Sequence, residues 1–249
     1  MTQFSANLGF LWNNIPLSEA IYAAAAAGFD AVECHWPYDQ TIKDVQAALR
    51  NTSLTMLGLN TRRGQPGENG LAALPGREGE ARAAIDEAIA YANAIDAQAI
   101  HVMSGFAKGP DAKATFLENL RYATEQTERT ILIEPLNRHD APGYFLETTD
   151  QACDIIHTLG HPSVKLMFDC YHVGRSEGDL TTRLEALLDH IGHIQFASVP
   201  DRGTPDHGEL NYPMIFEHIA ALGWNKPLGA EYKPTGPTAD SLSWLQSLR

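Results

Sequence analysis

The stretch that decides the fold runs from residue 130 to residue 170. It begins with the apolar run TILIEPL (130–136), continues through a helix-like stretch at 149–160, and ends with a second apolar run, VKLMFDC (164–170). Near-continuous apolar runs of this kind are typical of parallel strands that are buried on both faces. A strand, a helix and a second strand over roughly 30 or more residues have the size of a βαβ unit. The stretch therefore predicts a parallel α/β fold.

The same alternation extends outward to both ends of the chain. The predicted strands are Ala6–Trp12, Ala31–Trp36, Leu54–Asn60, Ala99–Gly105, Thr130–Leu136, Val164–Cys170, Ile191–Val199 and Pro227–Tyr232. The predicted helices follow them at 16–27, 40–50, 78–96, 111–129, 149–160, 179–190, 211–222 and 238–248. Eight such units predict one closed (β/α)8 TIM barrel, with residues 1–249 as a single domain and the active site at the C-terminal ends of the strands. The alternative, an open doubly wound sheet, usually carries a glycine-rich turn after its first strand, and the sequence has none there.

Composition and charge indicate which kinds of binding partner to expect. The 249 residues are 44% hydrophobic and 20% charged, with a formal net charge of −13. A surface this acidic repels phosphate backbones, so we expect no nucleic acid partner. The longest apolar run, Ala20–Ala27, is too short to span a bilayer. No signal peptide is visible, and the three cysteines are far apart. We therefore expect a cytoplasmic protein with no membrane partner, and the oligomeric state stays open, a homo-oligomer included.

Three acids lie within predicted buried strands or at their C-terminal ends. Glu134, Asp169 and Glu231 each follow an apolar run, and closure of the barrel would bring them toward its axis. Buried carboxylates are costly unless they are paired or bind a metal. Gln195, on the strand between the last two acids, adds a neutral carbonyl oxygen. An all-oxygen set suits Mg, Mn or Ca better than zinc or copper, so the four residues predict a divalent-cation site.

Other interpretations of these residues stay open at this point. A single buried acid is more often a salt-bridged structural residue than a metal ligand, although three at equivalent depth favour a metal. His193 competes with Gln195 for the same role, because the two side chains point to the same face of one strand. Glu33 and His35 alternate in the same way and are either structural, or support the site, or contact the substrate.

A set of motifs resembles one known family along the whole chain. They are GLAALPGREGE (70–80), HVMSG (101–105), IEPLN (133–137), FDCYH (168–172), HIQFASVPDR (193–202), GELNYPMIF (208–216) and AEYKP (230–234). They resemble the hydroxypyruvate isomerase family of the xylose-isomerase-like barrels. The resemblance implies a (β/α)8 barrel with one divalent metal, with Mg²⁺ or Mn²⁺ expected. It also implies that Glu134 and Glu231 are the acid/base pair and that Asp169 and Gln195 complete the metal site.

Gln195 also bears on the branch of the family. In the related ketose 3-epimerases the third metal ligand is usually histidine, so glutamine at this position favours the isomerase branch. The 2-oxotetronate isomerases carry nearly the same motifs, and this keeps the substrate open between the two kinds of isomerase.

The resulting expectation is an isomerase that interconverts hydroxypyruvate and tartronate semialdehyde by proton transfer through an enediolate. The substrate is a small hydroxy or oxo acid, and its carboxylate needs a cation. Arg202, directly after the seventh predicted strand, is expected at the mouth of the site and is the first candidate for this contact. The alternative is that Arg202 pairs with its neighbour Asp201 on the surface. The further predicted substrate contacts are His172, His101 and Lys233. The alternatives are a 2-oxotetronate isomerase, a ketose 3-epimerase, a metal-dependent hydrolase or endonuclease, and a sugar-acid binder without catalysis.

Overall fold

Parallel strands form the centre of the molecule in the computed structural model, which describes residues 2–248. The strands are β1 (Phe4–Asn7), β2 (Ala31–Glu33), β3 (Thr55–Met56), β4 (Gly58–Asn60), β5 (Ala99–His101), β6 (Thr130–Ile133), β7 (Val164–Asp169), β8 (Ile191–Phe196) and β9 (Leu228–Ala230). Their order in the sheet is β3-β2-β1-β9-β8-β7-β6-β5-β4, and every paired strand is parallel to its neighbour.

The third predicted strand closes the ring. It is present as two short pieces, β3 and β4, on either side of Leu57. β3 pairs with β2, whereas β4 pairs with β5. Hydrogen bonds from the Leu57 amide to Val32 O (2.7 Å) and from the Cys34 amide to Gly58 O (3.1 Å) continue the contact with β2. The nine strand segments therefore form an eight-membered ring, and the predicted (β/α)8 barrel is confirmed.

Helices surround this ring. They are α1 (Leu17–Ala27), α2 (Ile42–Thr52), α3 (Glu78–Ile95), α4 (Gly109–Gln126), α5 (Thr149–Leu159), α6 (Cys170–Ser176), α7 (Leu180–Leu187), α8 (Tyr212–Ala221) and α9 (Ser243–Ser247). α6 was not predicted; it begins directly after β7 because the Asp169 carboxylate accepts the Tyr171 amide (2.9 Å) and caps its first turn. None of the helices within residues 2–248 combines the length and the apolarity needed to cross a membrane.

The first strand lies earlier in the sequence than predicted. We expected it at Ala6–Trp12, but β1 ends at Asn7 and the chain then turns. The Leu8 amide still bonds Glu33 O (2.8 Å), but the Asn7 carbonyl accepts the amides of Phe10 (3.2 Å) and Leu11 (2.9 Å), so the chain turns away from the sheet after Leu8. Trp12 adopts a positive φ of 50° in this turn. Asn7, and not Trp12, therefore stands at the C-terminal end of the strand.

Apolar side chains fill the space between the ring and the helices. Fully buried members of this core include Phe4, Phe196 and Trp244, whose rings contact one another edge to face. Polar side chains inside the barrel instead collect toward the C-terminal ends of the strands. Those that are buried there are Asn7, Glu33, His101, Glu134, Asn137, Asp169, His172, His193, Gln195 and Glu231. The fold thus concentrates ionisable groups at one end of an apolar barrel.

Candidate active site

Four neighbouring strands bring the predicted ligands together. Glu134 directly follows β6, Asp169 is the last residue of β7, Gln195 lies near the end of β8, and Glu231 directly follows β9. Asp169 and Gln195 are paired across the sheet, so their side chains leave it at the same height. All four are at most 6% exposed. The placement follows from parallel strands that end at one edge, as the sequence predicted.

Three acids and one histidine form a tight cluster. One oxygen each of Glu134, Asp169 and Glu231 and one ring nitrogen of His172 all lie within 4.8 Å of one another. Carboxylates this close repel each other in a buried site unless a proton or a cation separates them. The cluster is therefore a place where positive charge is strongly favoured.

Oxygen atoms without a hydrogen-bond partner indicate whether a divalent cation fits at the cluster. Glu134 Oε1, Asp169 Oδ2 and Gln195 Oε1 are buried, and no hydrogen-bond donor of residues 2–248 reaches any of them. Buried polar atoms without a partner are rare and call for a specific explanation. Two carboxylate oxygens and one amide oxygen are hard ligands of the type that Mg²⁺ and Mn²⁺ prefer. The donor set thus fits such a cation.

Glu231 differs from the other acids because it is fully bonded. Its Oε1 accepts Asn7 Nδ2 (3.0 Å) and lies 2.9 Å from His35 Nε2, while its Oε2 accepts a hydrogen bond from Arg202. Burial alone would raise the pKa of Glu231, but the Arg202 charge and the His35 hydrogen bond outweigh it and hold the pKa well below its usual range. Glu231 is therefore kept ionised.

The pKa values of Glu134 and Asp169 are raised, whereas that of Glu231 is lowered. Burial, and then repulsion from Glu231 and Asp169, raise the pKa of Glu134 well above its usual range. Burial and the Glu231 charge raise the pKa of Asp169 to about 7, although Arg202 opposes this shift. A bound cation would favour the ionised form of both groups. Without added positive charge, the cluster therefore favours a partly protonated state.

His172 is held in one tautomer. Its Nδ1 accepts the Asn137 backbone amide (3.1 Å) and faces Asn137 Nδ2 (2.7 Å), so the ring proton of the neutral histidine is on Nε2. Burial and the Arg202 charge lower its pKa to about 3, which keeps the ring neutral. Nε2 lies 3.6 Å from Asp169 Oδ2 and 3.9 Å from Glu134 Oε1. His172 thus presents a hydrogen-bond donor to the cluster and not a metal-ligating lone pair.

His101 lies on the Glu134 side of the cluster. Its Nδ1 is 3.5 Å from Glu134 Oε2, and neither ring nitrogen has a hydrogen-bond partner within residues 2–248. Burial lowers its pKa to about 4, so the ring is neutral near pH 7. The structure thus brings this predicted substrate contact to the site.

Arg202 lies deeper than a residue at the mouth of the site. Its guanidinium bonds Glu231, stands 3.8 Å from Asp169 Oδ2, and lies over the rings of Phe10 (4.8 Å) and Tyr171 (5.0 Å). The Arg202 side chain is only 12% exposed. The alternative that it pairs with its neighbour Asp201 is wrong, because Asp201 pairs with His207 at the surface. Arg202 Nε has no partner within residues 2–248, so the guanidinium retains a free donor.

Lys233 is the remaining predicted substrate contact. It is exposed, and its Nζ lies 5.7 Å from the Phe10 ring centroid. Its backbone amide donates to Arg202 O (2.7 Å), which places the backbones of the two residues side by side. Its role in substrate binding stays a prediction.

Comparison with known proteins identifies the family. The family model described as xylose isomerase-like TIM barrel matches residues 21–248. The chain belongs to the xylose isomerase-like TIM barrel family. This confirms the resemblance inferred from the motifs.

Individual relatives cover the chain from end to end. A 2-oxo-tetronate isomerase of Cupriavidus necator is 42% identical over 99% of this chain and 98% of its own length. The hydroxypyruvate isomerase of Escherichia coli is 37% identical over 100% of both chains. A crystal structure described as AP endonuclease, family 2, from Brucella melitensis is 38% identical, with a TM-score of 0.95 over 100% of both chains. The curated relatives confirm that this member of the family is an enzyme of the isomerase class.

Some residues around the cluster were missed by sequence reasoning. Asn7 donates to Glu231, and its Oδ1 accepts the Gly9 amide (2.9 Å), which orients the side chain. It was overlooked because the first strand was expected to end at Trp12. Gly9 is also required, since a Cβ there would lie 2.1 Å from His35 Nδ1. The available signal was Asn7 itself, an amide side chain between Ala6 and Leu8.

Proposed function

We propose that the chain is a divalent-metal-dependent isomerase that interconverts hydroxypyruvate and tartronate semialdehyde. The observation that carries this proposal is the group of buried, unpartnered oxygens of Glu134, Asp169 and Gln195 beside the ionised Glu231. The name of the Escherichia coli relative supports the substrate. Substrates of this size also suit a site that lies within the end of a single barrel.

In this proposal the cation, Mg²⁺ or Mn²⁺, is held by Glu134, Asp169, Gln195 and Glu231. When bound, such an ion polarises a carbonyl group and stabilises negative charge on the adjacent substrate oxygens. The unpartnered oxygen atoms of three of these residues would then have a partner. Asp169 suits this role because its Oδ1 caps α6 while its Oδ2 stays free toward the cluster.

Glu134 and Glu231 are the proposed proton carriers. The reaction breaks a C–H bond at C3 of hydroxypyruvate, whose electron pair becomes the C2–C3 double bond of an enediolate. A proton is then added at C2, and a hydroxyl proton passes from the C3 oxygen to the C2 oxygen, so that the product is an isomer. The two acids follow β6 and β9, which are separated by β7 and β8 in the sheet. They therefore approach the cluster from different strands, so that one group can remove the proton and the other can return it at the adjacent carbon.

Neutral and cationic donors would orient the substrate. His172 directs its Nε2–H toward the cluster, where a substrate oxygen would accept it. Arg202 retains its free Nε donor for the substrate carboxylate, while it also keeps Glu231 ionised. A guanidinium that serves both groups fixes their relative orientation.

A second candidate substrate is 2-oxotetronate, which is favoured by the relative from Cupriavidus necator. Hydroxypyruvate and 2-oxotetronate both carry a carboxylate, an oxo group at C2 and a hydroxyl group at C3. They differ by one carbon attached to C3, so the same residues would move the same proton. The room beside C3 would decide between them.

The test compares both substrates on the purified protein with Mg²⁺ or Mn²⁺, in ordinary and heavy water. We expect turnover of hydroxypyruvate, with solvent deuterium at C2 of the product. A higher kcat/KM on 2-oxotetronate would transfer the proposal to the second substrate. Cleavage of DNA at abasic sites, with no isomerase activity on either acid, would replace the proposal with the endonuclease alternative. The net charge of −13 argues against that alternative.

A further inference from the structure

A buried acid and histidine lie directly beside Gln195. Glu33 is the last residue of β2 and is 4% exposed. Its Oε2 lies 2.5 Å from His193 Nε2, and its Oε1 accepts Gln195 Nε2 at 3.3 Å. His193 and Gln195 are two residues apart on β8, so both side chains point into the barrel. The three side chains thus form one buried network.

The network determines which end of the Gln195 amide faces the cluster. The Glu33 oxygen at this contact accepts a hydrogen bond, and only the NH₂ end of the Gln195 amide can donate it. Glu33 therefore draws Nε2 of Gln195 toward itself, and Oε1 is left on the opposite side of the amide. That oxygen has no donor within residues 2–248. Without Glu33, rotation of the amide by half a turn would present an NH₂ group, which repels a cation.

The backbone leaves room for this contact at one glycine. Gly229 lies opposite Gln195 on β9. A Cβ at Gly229 would lie 2.5 Å from Glu33 Oε1 and 2.9 Å from both Gln195 Cγ and His193 Nε2. Such distances are far inside van der Waals contact, so a larger residue would push the acid away from the amide. A glycine in the interior of a strand is otherwise unfavourable, which is consistent with a specific need for space.

We propose that Glu33, itself held by His193, is a positioning residue that keeps the Gln195 carbonyl oxygen directed at the divalent cation. Glu33 contacts neither the cation nor the substrate in this arrangement and acts through Gln195. The inference rests on the metal site of the proposed function. It resolves the competition between His193 and Gln195: the histidine supports the acid, and the glutamine presents the oxygen.

The experiment measures Mn²⁺ binding by titration with detection of free Mn²⁺ by electron paramagnetic resonance. We expect Glu33→Gln to raise the Mn²⁺ dissociation constant by about 10- to 100-fold, as is typical when a residue that orients a metal ligand is lost. The control is Glu177→Gln, which removes a carboxylate of similarly low exposure that pairs with Arg183 outside the cluster. We expect this control to bind Mn²⁺ within about twofold of the parent, because orientation of Gln195 is unaffected.

A second set of variants, made in the Gln195→Ala protein, separates the orientation of the Gln195 amide from the simple loss of a carboxylate. In Gln195→Ala there is no amide to orient, so adding Glu33→Gln should change the dissociation constant less than about twofold. An equal weakening in both backgrounds would mean that Glu33 acts through its charge and would overturn the inference. Parent-like Mn²⁺ binding by Glu33→Gln would overturn it too, while leaving the proposed function intact. A parent that binds no Mn²⁺ would refute both.

Unfolding of each variant in chelator gives a readout of structure that is independent of metal. If Glu33→Gln does not fold, Mn²⁺ binding is measured on Glu33→Asp instead. The shorter side chain of aspartate moves the carboxyl group away from Gln195 without removing it. We expect the aspartate variant to bind Mn²⁺ at least about tenfold more weakly than the parent. Parent-like affinity in that variant would overturn the inference.

Discussion

Removal of the Arg202 charge gives the most direct test of how the site is held together. Arg202→Met keeps most of the side-chain volume between Phe10 and Tyr171 but removes the partner of Glu231. Glu231 is 5% exposed, so the lost interaction cannot be replaced by free hydration. We therefore expect the metal-free variant to be less stable than the parent.

The part of this loss that depends on pH is limited by the cost of protonating Glu231. A carboxyl group with an ordinary pKa of 4.5 costs about 1.4 kcal/mol per pH unit to protonate, hence about 3.4 kcal/mol at pH 7. The hydrogen bonds from Asn7 and His35 remain and reduce the cost of leaving it ionised. We expect a loss of about 2–3 kcal/mol in the free energy of unfolding at pH 7.

The sign of the pH dependence follows from the lowered pKa of Glu231. In the folded parent this pKa lies below its ordinary value of 4.5, so the stabilisation is present above that pH and is lost as the pH falls through the folded-state pKa. In Arg202→Met the carboxyl group can protonate instead. The cost of protonating it, and with it the pH-dependent part of the loss, therefore falls to about 0.7 kcal/mol at pH 5.

Urea denaturation in chelator, at pH 7 and at pH 5, measures both values. The matched control is Arg62→Met, which breaks a surface pair with Glu87 whose side chains are 44% and 40% exposed. We expect this control to lose less than about 1 kcal/mol at both pH values. An Arg202→Met protein as stable as the parent at pH 7, or a loss that does not shrink at pH 5, would refute the reasoning.

Three further predictions concern activity. Treatment with a chelator should abolish turnover and Mg²⁺ or Mn²⁺ should restore it; full activity after verified metal removal would contradict the proposed site. Glu134→Gln and Glu231→Gln should each lower kcat by more than about 100-fold while metal, measured separately, stays bound, because an amide cannot carry the proton. Near-normal kcat with bound metal would exclude that residue as a proton carrier. Asn137→Ala should lower kcat/KM by about tenfold, since His172 keeps only the backbone donor to its Nδ1; an unchanged value would show that the side chain of Asn137 is not needed to orient the ring.

The sequence alone predicted the residues of the cluster because their positions depend on local pattern. Glu134, Asp169, Gln195 and Glu231 lie at the ends of apolar runs, and parallel strands in a ring must end at one edge. Closure of the ring then brings the ends of the four neighbouring strands β6, β7, β8 and β9 together. For the same reason, the order of strands and helices could be inferred without tertiary information.

Strand ends and short helices were harder to predict because side-chain and turn hydrogen bonds decide them. β1 stops at Asn7 through amide bonds to its carbonyl, and α6 begins after Asp169 through its capping carboxylate. Neither contact changes the hydrophobic pattern, so the periodicity of the sequence does not predict these contacts. For this reason, Asn7 was not recognised from the sequence as part of the site.

The partners of the clustered residues were decided only by the tertiary structure. Asn7 and Glu231 are separated by 224 residues in sequence, and Glu33 and Gln195 by 162, and each pair meets only because the ring closes. Arg202 was expected at the mouth of the site, yet the path of its loop directs it to Glu231 and away from Asp201. Sequence pattern thus determined which groups reach the end of the barrel. The closed register and the loop paths determined which group bonds which, because hydrogen bonds depend on distances of a few tenths of an ångström that hydrophobic periodicity does not specify.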